Sequence, residues 1–160
     1  MISKNSKFFL NGILIFSILS LCIAYFIQYV LDHSPCNLCL IERIPYIISV
    51  ILISLIFIIN KFKKIISIIL LLLFIFGAIV SFYHFGIEQD FFSESLVCNL
   101  ENNTSLSKEQ LLKQLENSSI VSCKDVTFTV FGFSLATINT IISIILSAIM
   151  IRVIMNYDKN

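Results

Sequence analysis

The chain has 160 residues, 58% of them hydrophobic and only 13% charged, and a mean hydropathy of +0.95. That composition excludes disorder and a purely water-soluble enzyme. A formal net charge of +1 offers no basic field for nucleic acid.

The apolar residues come in blocks. Phe8 to Leu31 is a run of 24 residues without a charge, longer than the apolar region of a signal peptide and without a small-residue cleavage site, so it is expected to be retained as a first membrane span over about 8–31. A short loop over about 32–39 follows. The next uncharged run, Ile44 to Asn60, has 17 residues. At about 1.5 Å per residue it cannot cover a hydrocarbon core of about 30 Å. The second span is therefore expected to borrow Leu40 and Ile41, run over about 40–60, and hold Arg43 near the bilayer surface.

A turn with Lys61, Lys63 and Lys64 leads to a third span over about 65–87. A long loop, about 88–129, carries Ser107-Lys108-Glu109-Gln110 ahead of Leu111, Leu112 and Leu115, a capping-box pattern that predicts a short amphipathic helix. A fourth span is expected over about 130–152. The fold class is thus an all-α, four-helix transmembrane bundle in one integral-membrane domain, 1–160, with no repeat or linker to divide it. Lys4, Lys7, the lysine turn, Arg152 and Lys159 predict that both termini and the turn are cytoplasmic, because short basic loops stay inside. Nine of the ten acidic residues then lie on the other side, with both loops.

Four of the five cysteines, Cys36, Cys39, Cys98 and Cys123, fall in those two external regions; Cys22 lies in the first span and reads as a small packing residue. Outside the cytosol four cysteines can form two disulfides, and three connectivities are open. A bridge closing about 26 residues, as Cys98 to Cys123 would, contributes roughly 3.5 kcal/mol in the chain-entropy model, a reasonable staple. A four-residue Cys-x-x-Cys ring gains only about 2 kcal/mol before strain. Redox chemistry explains Cys36 and Cys39 better, since strained bridges are the labile ones. A Cys₄ zinc site is disfavoured because Cys98 and Cys123 lack a second short spacing. Haem attachment is excluded because Leu40, not histidine, follows Cys39.

Positive charge and a helix N-terminus both favour a thiolate, and Cys39 lies where the second span begins, four residues before Arg43. Pro45 fits best in the first turn of a helix, and a helix starting near Arg43 would leave Cys39 in the loop. Arg43 also reads as an interfacial anchor, with Glu42 as a simple partner. Tyr83, Phe128, Phe131 and Phe133 suit an aromatic belt. His84, ionisable at membrane depth, reads either as a cavity-facing group or as an interfacial histidine without a function.

Pro35-Cys36-Asn37-Leu38-Cys39-Leu40-Ile41-Glu42-Arg43 resembles the Pro-Cys-x-x-Cys-x-x-Glu-Arg signature of the DsbB family of disulfide bond formation proteins. Tyr83-His84-Phe85-Gly86-Ile87-Glu88, then Cys98, then Cys123 ahead of Phe131-Gly132-Phe133-Ser134, are similar to that family's later landmarks. The resemblance implies a multi-pass protein of the bacterial inner membrane that reoxidises a periplasmic thioredoxin-fold thiol oxidase of the DsbA type and passes two electrons to the membrane quinone pool, ubiquinone or menaquinone. Such an oxidase is itself a strong oxidant, at roughly −120 mV, so acceptors in the glutathione range would run uphill.

The same resemblance implies that Cys98 is attacked by the partner, with Cys123 its companion, and that Cys36 exchanges with Cys123. Cys39 would be the thiolate facing the quinone, Arg43 would stabilise it and the charge on the quinone oxygen, and His84 would help line the quinone site. The alternative is a non-catalytic four-span scaffold whose external cysteines lock its loops. A relative conducting electrons outward would need cysteines on the cytoplasmic side, where the sequence offers none.

Overall fold

The computed structural model describes residues 4–59, 62–93, 98, 123–124, 129–130 and 132–158. In chain order these form α1 (Lys4–Tyr29), α2 (Asn37–Ile41), α3 (Ile44–Ile58), α4 (Lys63–Glu88), a hairpin of β1 (Thr129–Val130) and β2 (Phe133–Ser134), and α5 (Leu135–Asp158). Among the described residues, four helical stretches are long and apolar enough to cross a membrane: Ser6–Tyr29, Asn37–Ile58, Lys63–Glu88 and Leu135–Asn156. The expected four-helix membrane bundle is the observed architecture. The amphipathic helix expected over 107–115 lies outside the described residues.

Each helix boundary has a local cause. After Tyr29 the chain turns through Asp32 in the left-handed region, φ 55°, a conformation that aspartate tolerates better than most residues. The second span is two helices, which resolves the tension between Cys39 and Pro45. Pro45 has no N–H for the Ile41 carbonyl four residues back, so α2 ends at Ile41 and α3 restarts behind Arg43. The backbone carries on through Arg43 N–H to the Leu40 carbonyl, 3.2 Å, and Tyr46 N–H to the Arg43 carbonyl, 3.1 Å.

The last helix starts at Leu135 rather than at 130. Val130 pairs with Phe133 across a turn in which Gly132 has φ 83°, a backbone suited to glycine. Ser134 then caps α5, its Oγ accepting the Thr137 N–H at 3.2 Å.

The bundle core holds Leu10 and Ile13 of α1, Tyr46, Ile53 and Ile56 of α3, Ile66, Leu70 and Phe74 of α4, and Leu146 and Met150 of α5. Ile15, Ile51, Leu72, Ile79 and Ile144 point outward, as a helix surface solvated by lipid requires. Because lipid tails are as apolar as these side chains, association depends on close packing and buried hydrogen bonds. Gly77 of α4 leaves room for the Pro45 ring of α3, and Ser49 of α3 donates to Ser17 of α1 at 3.0 Å. α4 packs most extensively on α5, and α1 on α3. Cys22 is exposed on α1, so it faces out of the bundle rather than filling its interior.

Candidate active site

The cysteines meet at one end of the bundle. Cys36 is the N-cap of α2, its Sγ accepting the Cys39 N–H at 3.3 Å. The first turn of α2 therefore fixes both thiols, and their sulfurs lie 2.7 Å apart. That separation exceeds a disulfide bond of about 2.05 Å but requires little movement to become one. Cys98 and Cys123 form a disulfide with Cα atoms 5.9 Å apart.

Both pairs pack into one apolar cluster. Cys36, Leu38, Ile87, Cys98 and Cys123 are buried together, with Cys39, Ile41, Val80 and Tyr83 against them. Lys124 pairs with Asp90 at 2.6 Å, tying the segment after Cys123 to the end of α4. The pair is exposed, so it contributes registration more than stability.

His84 of α4 joins the thiols. Its Nε2 lies 3.6 Å from Cys36 Sγ, and its Nδ1 donates to Glu42 Oε1 at 2.8 Å. With the ring oriented this way, Nε2 can accept the Cys36 proton or, once protonated, donate to the thiolate. The hydrogen bond from the Cys39 thiol is the largest cause that pulls the Cys36 thiol down to about 4, with help from His84 and against the opposing effect of burial. Stabilising this thiolate stabilises the reduced pair and so makes the Cys36/Cys39 disulfide a stronger oxidant.

The anion at rest is favoured on Cys36, the sulfur with more donors, rather than on Cys39. Arg43 turns away from the sulfurs: Nη1 donates to Gln28 Oε1 at 2.5 Å and the guanidinium lies 5.2 Å from the Tyr25 ring centroid. Glu42 pairs with His84, not with Arg43. The cause is placement, since Glu42 and Arg43 occupy the break between α2 and α3 and leave it in different directions, one toward α4 and the other toward α1.

Arg43 nonetheless lines the same cavity as Cys36, Cys39, Glu42, Tyr46 and His84, a space of about 410 Å³. Ile23 and Ile27 of α1 and Ile138 and Ile142 of α5 form its apolar wall. Its volume falls within the range of about 300–1,000 Å³ typical of small-molecule sites.

Three cavity residues, Tyr46, Glu88 and Asn139, and Gln28 beside Arg43 were given no role from sequence. Asn139 Nδ2 donates to Glu42 Oε2 at 2.8 Å and to Ser81 Oγ at 2.7 Å, while Tyr46 Oη donates to Asn139 Oδ1 at 2.5 Å. A carboxamide inside an apolar span is a detectable signal, because neutral polar groups at that depth need partners. Scanning for charge alone passes over it.

Residues 6–153 match the sequence model of the DsbB family, disulfide bond formation protein DsbB. The chain is 28% identical over 162 residues to the uncharacterized protein RP370 of Rickettsia prowazekii (strain Madrid E), covering 99% of this chain and 94% of that protein. No solved structure matches.

Proposed function

The chain belongs to the DsbB family of disulfide-forming membrane oxidoreductases, and we propose that it reoxidises a periplasmic, DsbA-type thioredoxin-fold thiol oxidase and delivers the two electrons to a membrane quinone. The observation that carries this reading is the packing of both cysteine pairs into one cluster, with the free pair opening onto a cavity that also presents Arg43 and His84.

In the proposed cycle a thiolate of the reduced partner attacks Cys98 and breaks the Cys98–Cys123 bond, forming a mixed disulfide. The partner's second thiol resolves it, so the partner leaves oxidised and Cys98 and Cys123 hold two electrons and two protons. Cys123 then attacks Cys36 of the Cys36–Cys39 disulfide, giving a Cys36–Cys123 bond and releasing Cys39. Attack by Cys98 on Cys123 restores the Cys98–Cys123 bridge and leaves Cys36 and Cys39 reduced. The low-pKa Cys36 leaves readily in this last exchange.

A quinone bound in the cavity would supply the two-electron acceptor. Arg43 and His84 would hold its polar ring, Cys39 would face it, and the isoleucines of α1 and α5 would exclude water from it. Gln28 and the Tyr25 ring keep Arg43 at the cavity wall, where its charge favours an anionic oxygen. The donor set fits an aromatic ring with two carbonyl oxygens: one fixed cation, one imidazole, and apolar walls. The proposed location is the bacterial inner membrane, with the cysteine end facing the periplasm.

Purified protein in lipid nanodiscs, given a reduced thioredoxin-fold oxidase and decylubiquinone or a short-chain menaquinone, tests the reading. Stoichiometric quinol and partner disulfide are expected, with loss of quinol in Cys39→Ser. Quinol production that survives Cys39→Ser would refute the electron path. A wild-type protein whose four cysteines never change redox state would establish the scaffold alternative instead.

A further inference from the structure

Closing Cys36 and Cys39 to a disulfide forms one S–S bond and releases two electrons and two protons, one from the Cys39 S–H bond and one that Cys36 has given up to its imidazole neighbour. The proposed function assigns the electrons to the quinone, which needs both protons as well. The protons start in a site walled by apolar side chains, and one line of polar atoms leads away from Cys36: Sγ to His84 Nε2 at 3.6 Å, Nδ1 to Glu42 Oε1 at 2.8 Å, Oε2 to Asn139 Nδ2 at 2.8 Å, and Asn139 Oδ1 to Tyr46 Oη at 2.5 Å.

The order of donors along this line is fixed. Glu42 as a carboxylate only accepts, so Asn139 must turn its NH₂ toward it; Tyr46 then donates to Oδ1, and Ser81 Oγ takes the other amide hydrogen while donating to the Gly77 carbonyl at 2.8 Å. Flipping the carboxamide would set oxygen against oxygen. Glu42 is 8% exposed and His84 4%, and a buried carboxylate is costly unless its oxygens are occupied. Here both are, one by a ring N–H and one by the amide of a residue from another span.

We propose that Asn139 is a positioning residue for Glu42, and that the Glu42–His84 pair it holds is the proton carrier of the Cys36/Cys39 couple. His84 Nε2 takes the Cys36 proton, Glu42 balances the charge on the ring, and the proton is released into the cavity for the acceptor oxygen. The Cys39 proton enters the same cavity directly, so both protons and both electrons end on the quinol. This inference rests on the proposed function for its acceptor but not for its test.

The other titratable groups around Cys36 and His84 are Cys39 of α2, Arg43 at the α2–α3 junction, Tyr46 of α3, His33 after α1, and Glu88 of α4, whose Oε1 lies 3.8 Å from Nε2. α5 contributes none to the cavity wall. Glu88 has one buried oxygen without a hydrogen-bond partner among the described residues, so it does not occupy the position that Glu42 holds on Nδ1.

The test uses the full chain, fully reduced in nanodiscs, without quinone or partner. Alkylation of Cys36 by iodoacetamide is followed against pH by mass spectrometry of its peptide. Glu42→Gln and Asn139→Leu should each raise the midpoint by one pH unit or more, a tenfold or greater loss of rate at a pH below both midpoints. Asn139→Leu should add less than twofold in the Glu42→Gln background, because it acts through Glu42; Asn139→Ala replaces it in the same cycle if the leucine variant does not fold. Unshifted midpoints, or additive shifts, would overturn the proposal. A wild type that shows the expected midpoints yet reduces no quinone would instead overturn the relay and leave the dyad in place.

Discussion

Replacing Cys39 by alanine removes the largest contribution to the Cys36 thiolate. The sulfurs are 2.7 Å apart, and a hydrogen bond to a charged group is worth about 1.5–3 kcal/mol. At about 1.36 kcal/mol per pKa unit, that is roughly one to two units. The Cys39 backbone N–H, 3.3 Å from Sγ, and His84, 3.6 Å away, both survive the substitution. The Cys36 thiol should therefore move from about 4 to roughly 5–6, still below an ordinary thiol near 8.5. At pH 4 the thiolate fraction then falls from about one half to between roughly 1 and 10%, so alkylation slows about 5- to 50-fold, while above pH 8 the two proteins react alike. Rapid-quench alkylation between pH 3 and 9, read on the Cys36 peptide, measures this directly. An unchanged midpoint in Cys39→Ala, or a wild-type midpoint in the ordinary thiol range, would refute the reasoning.

Other consequences follow from the same geometry. Because the Cys36 thiol is lowered from 9.0 to about 4, its contribution to the stability of the reduced protein is fully present above 9.0 and is lost as pH falls through about 4. The Cys36–Cys39 disulfide lacks this titration. With the Cys36 proton resting on the Glu42–His84 pair and leaving with the electrons, the potential of the couple should fall by roughly 60 mV per pH unit across pH 5–8, two protons per two electrons, and a slope of roughly 30 mV would contradict proton storage on that pair. Gln28→Leu releases Arg43 from its 2.5 Å hydrogen bond; the KM for quinone should rise several-fold with the rate of exchange between Cys98–Cys123 and the partner unchanged, and a loss confined to the exchange step would reverse the assignment. Ser134→Ala removes the cap on α5 and should cost about 1 kcal/mol of stability, measured by unfolding in detergent; no loss would mean that the hairpin sets the start of the helix without the cap.

The bundle was legible because a bilayer imposes length and hydropathy on each span, and those are properties of local sequence. Cys36 and Cys39 were legible for a similar reason: a two-residue spacing at a helix start fixes their geometry before any tertiary contact. The break after Ile41 was only half legible, since Pro45 announces an interruption but not that a short helix precedes it. The start of α5 at Leu135 depended on a turn at Gly132 and a cap at Ser134, short-range signals that uncharged-run counting overrides. The partners of Glu42 and Arg43 were not legible at all. Adjacent opposite charges suggest a pair, and only the packing of α3 between α1 and α4 separates them, sending Arg43 to Gln28 and Glu42 to His84. Asn139 was missed because its importance lies in what it touches across the bundle, not in its charge.

Electron transfer between the two pairs requires Cys36 and Cys123 to bond within one chain, and the double variant Cys39→Ala/Cys98→Ala removes both thiols that could break that bond, Cys39 by attack on Cys36 and Cys98 by attack on Cys123. One equivalent of a small-molecule disulfide added to the reduced double variant forms a mixed disulfide on one of the two remaining site cysteines, and attack by the other should leave a Cys36–Cys123 crosslink in non-reducing peptide mapping. Recovery of Cys36 or Cys123 still bound to the small thiol, with no crosslink between them, would contradict the relay.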